Sequence, residues 1–211
     1  MPPAAVLFDN DGLLLDTEVL WTRAEAVLFE RVGLTFTMDH KRELIGTSGA
    51  VAEATISRQL GRPGEGAALM AELHEMVMEE ALKGVDPMPG ARELLDHLDR
   101  VPMGVASNSP RSFVERTLEA AGLRERFGCV LSAGDVAHPK PAPDVYNALA
   151  QALGADPADC VALEDSPTGV AAARAAGAFV IGVPSLDGVV LDEADLVADS
   201  LADPRVLARL A

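Results

Sequence analysis

The sequence predicts an α/β fold, a Rossmann-like parallel sheet core covered by helices on both faces, with an all-helical cap domain inserted after the first strand. Three observations carry this. A short unbroken apolar run, Ala4-Ala5-Val6-Leu7-Phe8, stands near the start and suits a strand buried on both faces. From there to about residue 86 the pattern is helical, without a convincing strand. From Pro87-Met88-Pro89-Gly90 onward, short apolar runs alternate with helical spacing, the texture of successive strand-helix units.

The first strand runs into Asp9-Asn10-Asp11-Gly12. Extended side chains alternate, so Asp9 and Asp11 lean to one side and Asn10 to the other. Carboxylates sharing a small space repel; either one pKa rises, giving a proton donor, or a divalent cation neutralises the pair. An acidic turn after an ordinary edge strand would look the same in isolation. Gly12 lets the chain turn sharply. The apolar patch Leu13-Leu14-Leu15 with Asp16-Thr17 then leads into a helix over 18–31, where Leu20, Ala24, Val27, Leu28 and Val32 recur at helical spacing and Gly33 stops the run. Helices over 38–45, 51–60 and 67–82 follow, divided by Gly46-Thr47-Ser48-Gly49 and Gly61-Arg62-Pro63-Gly64. This block is the cap domain, residues 16–86; residues 1–15 and 87–211 form the catalytic core.

In the second part a helix over 91–99 precedes a strand over 102–107, and a helix over 110–121 ends at Gly122. A strand at Cys129–Ser132, a Pro-rich loop and a helix over 143–153 come next. A strand over 160–163, a helix over 168–176, a strand over 178–183 and a short last strand over 195–198 complete the pattern.

Ligands of open parallel sheets bind beyond the carboxyl ends of the strands, so the residues after each apolar run are where chemistry is expected. The first strand ends in Asp9 and Asp11, the second in Ser107-Asn108-Ser109, and the fourth in Glu164-Asp165; the loop after the third holds His138-Pro139-Lys140-Pro141. Glu164 and Asp165 add oxygen donors near Asp9, the all-oxygen set that Mg2+ prefers, with water and a substrate phosphate completing it. Ser107 with nearby backbone N–H groups suits phosphate oxygens, and Lys140 between prolines is a stiffly placed positive charge. Singly, each has an ordinary reading: a Ser-Asn helix cap, a solvated lysine, an acidic turn. Their joint occurrence at successive strand ends points to a phosphoryl group.

The net charge of −16 opposes binding to nucleic acid or an anionic membrane, both of which need a basic surface. Cys129 and Cys160 suggest neither a disulfide framework nor a zinc site. With 49% apolar and 24% charged residues in 211, and no apolar run of membrane-spanning length, the expectation is a cytoplasmic protein, a monomer or weak dimer.

Phe8-Asp9-Asn10-Asp11-Gly12 with Leu15-Asp16, Ser107-Asn108, Lys140-Pro141-Ala142-Pro143-Asp144 and Glu164-Asp165-Ser166-Pro167-Thr168-Gly169 resemble the four ordered motifs of the haloacid dehalogenase superfamily. The likeness spans nearly the whole chain and is greatest to the helical-cap branch that includes β-phosphoglucomutase and many small-metabolite phosphatases. It implies Asp9 as nucleophile and Asp11 as general acid and then base. It further implies phosphoryl binding by Ser107, Asn108 and Lys140, and magnesium held by Asp9, the carbonyl of Asp11, Glu164 and Asp165. Dehalogenases of the superfamily lack the second acid of the Asp-x-Asp pair and need no magnesium, so Asp11 and Glu164-Asp165 argue for phosphoryl transfer. The cap loop Leu44-Ile45-Gly46-Thr47-Ser48-Gly49 lacks the basic groups that bind a second phosphate in β-phosphoglucomutase, which favours water over sugar as acceptor.

The expected activity is therefore a Mg2+-dependent phosphatase acting on a small phosphorylated metabolite, such as a sugar phosphate. The alternatives are a sugar phosphomutase or a non-catalytic binding module. Glu18, Trp21, Thr47 and Ser48 are the cap candidates for contact with the leaving group; Trp21 reads equally as a cap-core aromatic, and Arg23 and Arg58 as solvated.

Overall fold

The computed structural model describes residues 2–44, 49–186 and 188–211. The chain divides into two compact units, one of Met1–Thr17 with Val85–Ala211 and the other of Glu18–Gly84.

The first unit contains β1 (Val6–Phe8), α5 (Ala91–His97), β2 (Met103–Ser107), α6 (Arg111–Ala120), β3 (Cys129–Ser132), α7 (Asp144–Ala152), β4 (Val161–Glu164), α8 (Pro167–Ala176), β5 (Phe179–Gly182), β6 (Leu196–Val197) and α9 (Pro204–Leu210). The strands form one sheet in the order β3-β2-β1-β4-β5-β6, every pairing parallel. The order reverses at β1, so β1 and β4 flank the switch point where ligands of such sheets bind. Phe8 is in register with Val105 on one side and Leu163 on the other, which brings Asp9, Ala106 and Glu164 level at the carboxyl edge.

β1 is buried on both faces, as its apolar run predicts. Leu7 belongs to a cluster with Val145, Tyr146 and Leu149 of α7 and Val170 and Ala173 of α8. Phe8, of opposite parity, sets its ring edge-on against Phe127 at 5.8 Å. The helix after β4 starts sharply because Ser166 caps it, its hydroxyl accepting from the Gly169 N–H at 3.1 Å, with Pro167 at the first helical position. The same device, Asp203 capping from Arg205 N–H with Pro204 behind it, starts α9, a helix that the apolar spacing alone does not announce.

The second unit is helical among its described residues: α1 (Glu18–Arg31), α2 (Met38–Leu44), α3 (Gly49–Gln59) and α4 (Gly66–Leu82). Within it Lys41 is buried, its Nζ 3.0 Å from both Glu18 Oε2 and Glu25 Oε2. Burial pushes the Glu25 carboxyl up against the opposing pull of Lys41. Trp21 meets His74 edge to face, with ring centroids 5.1 Å apart. No helix among the described residues is long and apolar enough to cross a membrane.

Candidate active site

The site is built where β1, β2 and β4 end. Asp9 leaves β1 nearly buried, its N–H donating to Leu163 O, which holds the chain level with β4. Lys140, separated from it by most of the core sequence, donates from Nζ to Asp9 Oδ1 at 2.6 Å, Glu164 Oε1 at 2.6 Å and Ala106 O at 2.8 Å. An ammonium has three N–H donors, and all three are used. Burial works against the charge on Lys140, but Asp9 and Glu164 outweigh it and keep the ammonium protonated.

The loop that carries Lys140 is fastened by Asn108. The Asn108 amide accepts from Lys140 N–H at 3.0 Å and donates to Lys140 O at 3.1 Å, a two-point clamp on the backbone. The Asn108 side chain is thus committed to the lysine loop. Ser107 Oγ donates to Asp11 Oδ2 at 2.9 Å and accepts from Ser109 N–H.

Asp11 has its other oxygen held too. Asn10 leans to the opposite face, as strand alternation requires, where its amide reaches Thr117 Oγ1 of α6 at 3.4 Å. The same Nδ2 also lies 3.1 Å from Asp11 Oδ1, so Asn10 contacts a site residue. Its own Oδ1 is buried without a hydrogen-bond partner among the described residues. Gly12 has φ +80°, and a Cβ there would fall 2.4 Å from Asp165 Oδ2. Only glycine both makes this turn and leaves room for that carboxylate.

Asp9, Glu164 and Asp165 each place a carboxylate oxygen within 4.8 Å of the others. Three carboxylates stand against one ammonium, and burial together with the Glu164 charge pushes Asp165 up to about 7. Burial likewise pushes Asp9 upward, against Lys140. An uncompensated all-oxygen cluster fits a hard divalent cation, so the residues present suit a metal. Glu164 Oε1 is already taken by Lys140 and by the Tyr146 hydroxyl at 2.5 Å, so Oε2, which Ser166 Oγ meets only at 3.4 Å, is the oxygen better placed for a metal.

Glu18 and Trp21 lie in the helical unit, Glu18 paired with Lys41. Thr47 and Ser48, with Ile45 at the expected end of α2, lie outside the described residues. Exposed Arg58 pairs with Glu43, and exposed His138 with Asp144, Nδ1 to Oδ2 at 3.0 Å. Two residues of the site carry no signal in the motifs. Ser185 donates to Asp165 Oδ2 at 2.6 Å; it follows the fifth strand, so the strand-end rule applied once more would find it. Tyr146, the only tyrosine in the chain, is reached only through the fold.

A family model of haloacid dehalogenase-like hydrolases matches residues 6–183. The chain belongs to this family. The family's relatives include hexitol phosphatase B of Escherichia coli strain K12, 35% identical over 187 residues, 86% of this chain and 83% of that one. A fructose-1-phosphate phosphatase of the same organism is 35% identical over 181 residues, covering 85% of this chain and 96% of its own length. Among solved structures of the family, CbbY from Rhodobacter sphaeroides in complex with phosphate is similar with a TM-score of 0.79 at 30% identity, covering 95% of this chain and 96% of that one.

Proposed function

We propose that this haloacid dehalogenase-like hydrolase is a phosphatase that releases phosphate from a small phosphorylated metabolite of the sugar phosphate class, through a phosphoryl group carried on Asp9. The observation that carries the reading is the Asp9 carboxylate held by Lys140 at the β1/β4 switch point, with a second acid two residues on. The phosphatases of hexitols and of fructose 1-phosphate among the relatives support the substrate class.

An Asp9 oxygen attacks phosphorus, and the bond from phosphorus to the ester oxygen breaks. Asp11, kept in place by Ser107 and Asn10, protonates the departing alcohol. It then takes a proton from a water that attacks phosphorus, the aspartyl-phosphate P–O bond breaks, and phosphate leaves with Asp9 regenerated as carboxylate. A positioned acid of this kind contributes roughly 10²–10⁴-fold. Lys140, whose three N–H groups are committed, acts on the phosphoryl oxygens through its charge, and the Ser107 hydroxyl would exchange Asp11 for a phosphoryl oxygen, with the backbone N–H groups near Asn108 beside it. Asp9, Asp165, Glu164 and the Asp11 carbonyl would hold Mg2+, which when bound would supply charge neutralisation for the transferring group.

One sequence feature and one structural feature favour water as acceptor. The segment 44–49 has no basic residue for a second phosphate, and the only buried lysine of the described helical unit is occupied by Glu18 and Glu25. The test is phosphate release from a panel of phosphate monoesters, hexitol and ketose phosphates included, in the presence of Mg2+. Release by the protein and its abolition in Asp9→Asn are expected. Rearranged substrate without free phosphate would make the protein a mutase, and binding without turnover would make it a non-catalytic module.

A further inference from the structure

Tyr146 and Glu164 are both fully enclosed, and their side chains meet beside Lys140. The phenol hydroxyl donates to Glu164 Oε1 at 2.5 Å, the same oxygen that receives Lys140 Nζ at 2.6 Å. The ammonium also lies 5.0 Å from the centroid of the Tyr146 ring. On the far side the Glu164 carboxylate has no freedom either, since a Cβ at Gly169 would fall within 2.0 Å of its atoms. The tyrosine therefore reaches the lysine by two routes, through the ring and through the carboxylate.

We propose that Tyr146 is a positioning residue for phosphoryl transfer, acting through Glu164 to hold Lys140 against Asp9. A lysine side chain is long and unbranched, and its ammonium settles wherever the surrounding charges balance. Here it sits at equal distance from two carboxylates. The Tyr146 phenol withdraws part of the hydrogen-bonding capacity of Glu164 Oε1, so the lysine is shared with Asp9 instead of being drawn to Glu164 alone. A phenylalanine would fill the same core space. A buried hydroxyl is costly to desolvate, and the bond to Glu164 is what offsets it.

This inference rests on the phosphatase reading, and the experiment separates the two. Tyr146→Phe, Glu164→Gln and the double variant are compared with the unsubstituted protein for kcat and KM on its best substrate in the panel. The ultraviolet resonance Raman spectrum of the sole tyrosine is recorded without metal for the unsubstituted and Glu164→Gln proteins. Expected are a roughly tenfold lower kcat in Tyr146→Phe with KM within about twofold, a double variant no worse than Glu164→Gln, and a tyrosine spectrum that changes its donor signature in Glu164→Gln. Unchanged kcat in Tyr146→Phe with only a lower melting temperature would reduce Tyr146 to packing and overturn the proposal. So would multiplying effects in the double variant, or identical tyrosine spectra. Absence of phosphate release by the unsubstituted protein would instead sink the phosphatase reading.

Discussion

Lys140 Nζ lies 2.6 Å from Asp9 Oδ1, joining positions 131 residues apart in the chain. The pair is buried, and Glu164 shares the same ammonium at the same distance. Removing one member of a buried ion pair leaves its partner uncompensated, which is far costlier than losing a surface pair.

Lys140→Met is therefore expected to lose stability and activity together. The two orphaned carboxylates should cost about 3 kcal/mol in urea unfolding. Loss of a charge that stabilises the transferring group should lower kcat by roughly 10²–10³-fold. Mg2+ should restore part of the stability, because it neutralises the same carboxylates, and little of the activity. Equal unfolding midpoints for the two proteins would contradict the ion pair's role.

Asn10→Leu separates stability from catalysis in the opposite direction. It removes a buried carbonyl oxygen without a partner, a defect worth about 1–3 kcal/mol where it occurs, and also an amide that reaches Asp11. Denaturation should find the variant as stable as the parent or more so. Steady-state assays should find kcat several-fold lower, because Asp11 then relies on Ser107 alone.

Cation binding should strengthen as pH rises. Asp165 titrates near 7 in the folded chain, against about 3.9 for a free aspartate, so its ionisation is disfavoured by folding. The protein without metal should accordingly lose stability as pH rises from about 4 to 7, the sign opposite to that of a salt-bridged acid. Binding a cation reverses this by favouring the charged form. The rise in melting temperature given by Mg2+ should be larger at pH 8 than at pH 5.5, and an equal rise at both would show that Asp165 is not a ligand.

Gly12→Ala should weaken the metal site without reaching the metal. Its Cβ would displace the Asp165 carboxylate and force a left-handed backbone on alanine. Calorimetric titration should show Mg2+ affinity reduced about tenfold or more, as second-contact changes around metal ligands commonly give.

Much of this site is legible because its residues stand at the ends of strands that the apolar runs already mark. Asp9, Ser107 and Glu164 are adjacent in space because β2, β1 and β4 are adjacent in the sheet, and the doubly wound order makes that adjacency predictable. Tyr146 is different. It stands on a helix face whose apolar spacing reads as core, and only the packing of α7 against the sheet and α8 reveals that its hydroxyl ends on Glu164. Lys41 escapes notice for the same reason, since a lysine in a short charged helix reads as solvated until Glu18 and Glu25 are found on either side. The α9 helix was hidden by its brevity, although its Asp-Pro start is a recognisable cap.

The core also closes behind the chain as it leaves and returns. Asp16 N–H donates to Asp86 O at 2.9 Å, Met88 N–H donates to Leu14 O, and Leu15 bridges Pro87. The two ends of the excursion are thus a single hydrogen bond apart. Everything between them is, for the sheet, a loop of almost no span, and its length hardly enters the free energy of assembling β1 beside β2. Such a junction lets the helical segment be lengthened, rebuilt or exchanged while the four strand-end stations keep their places.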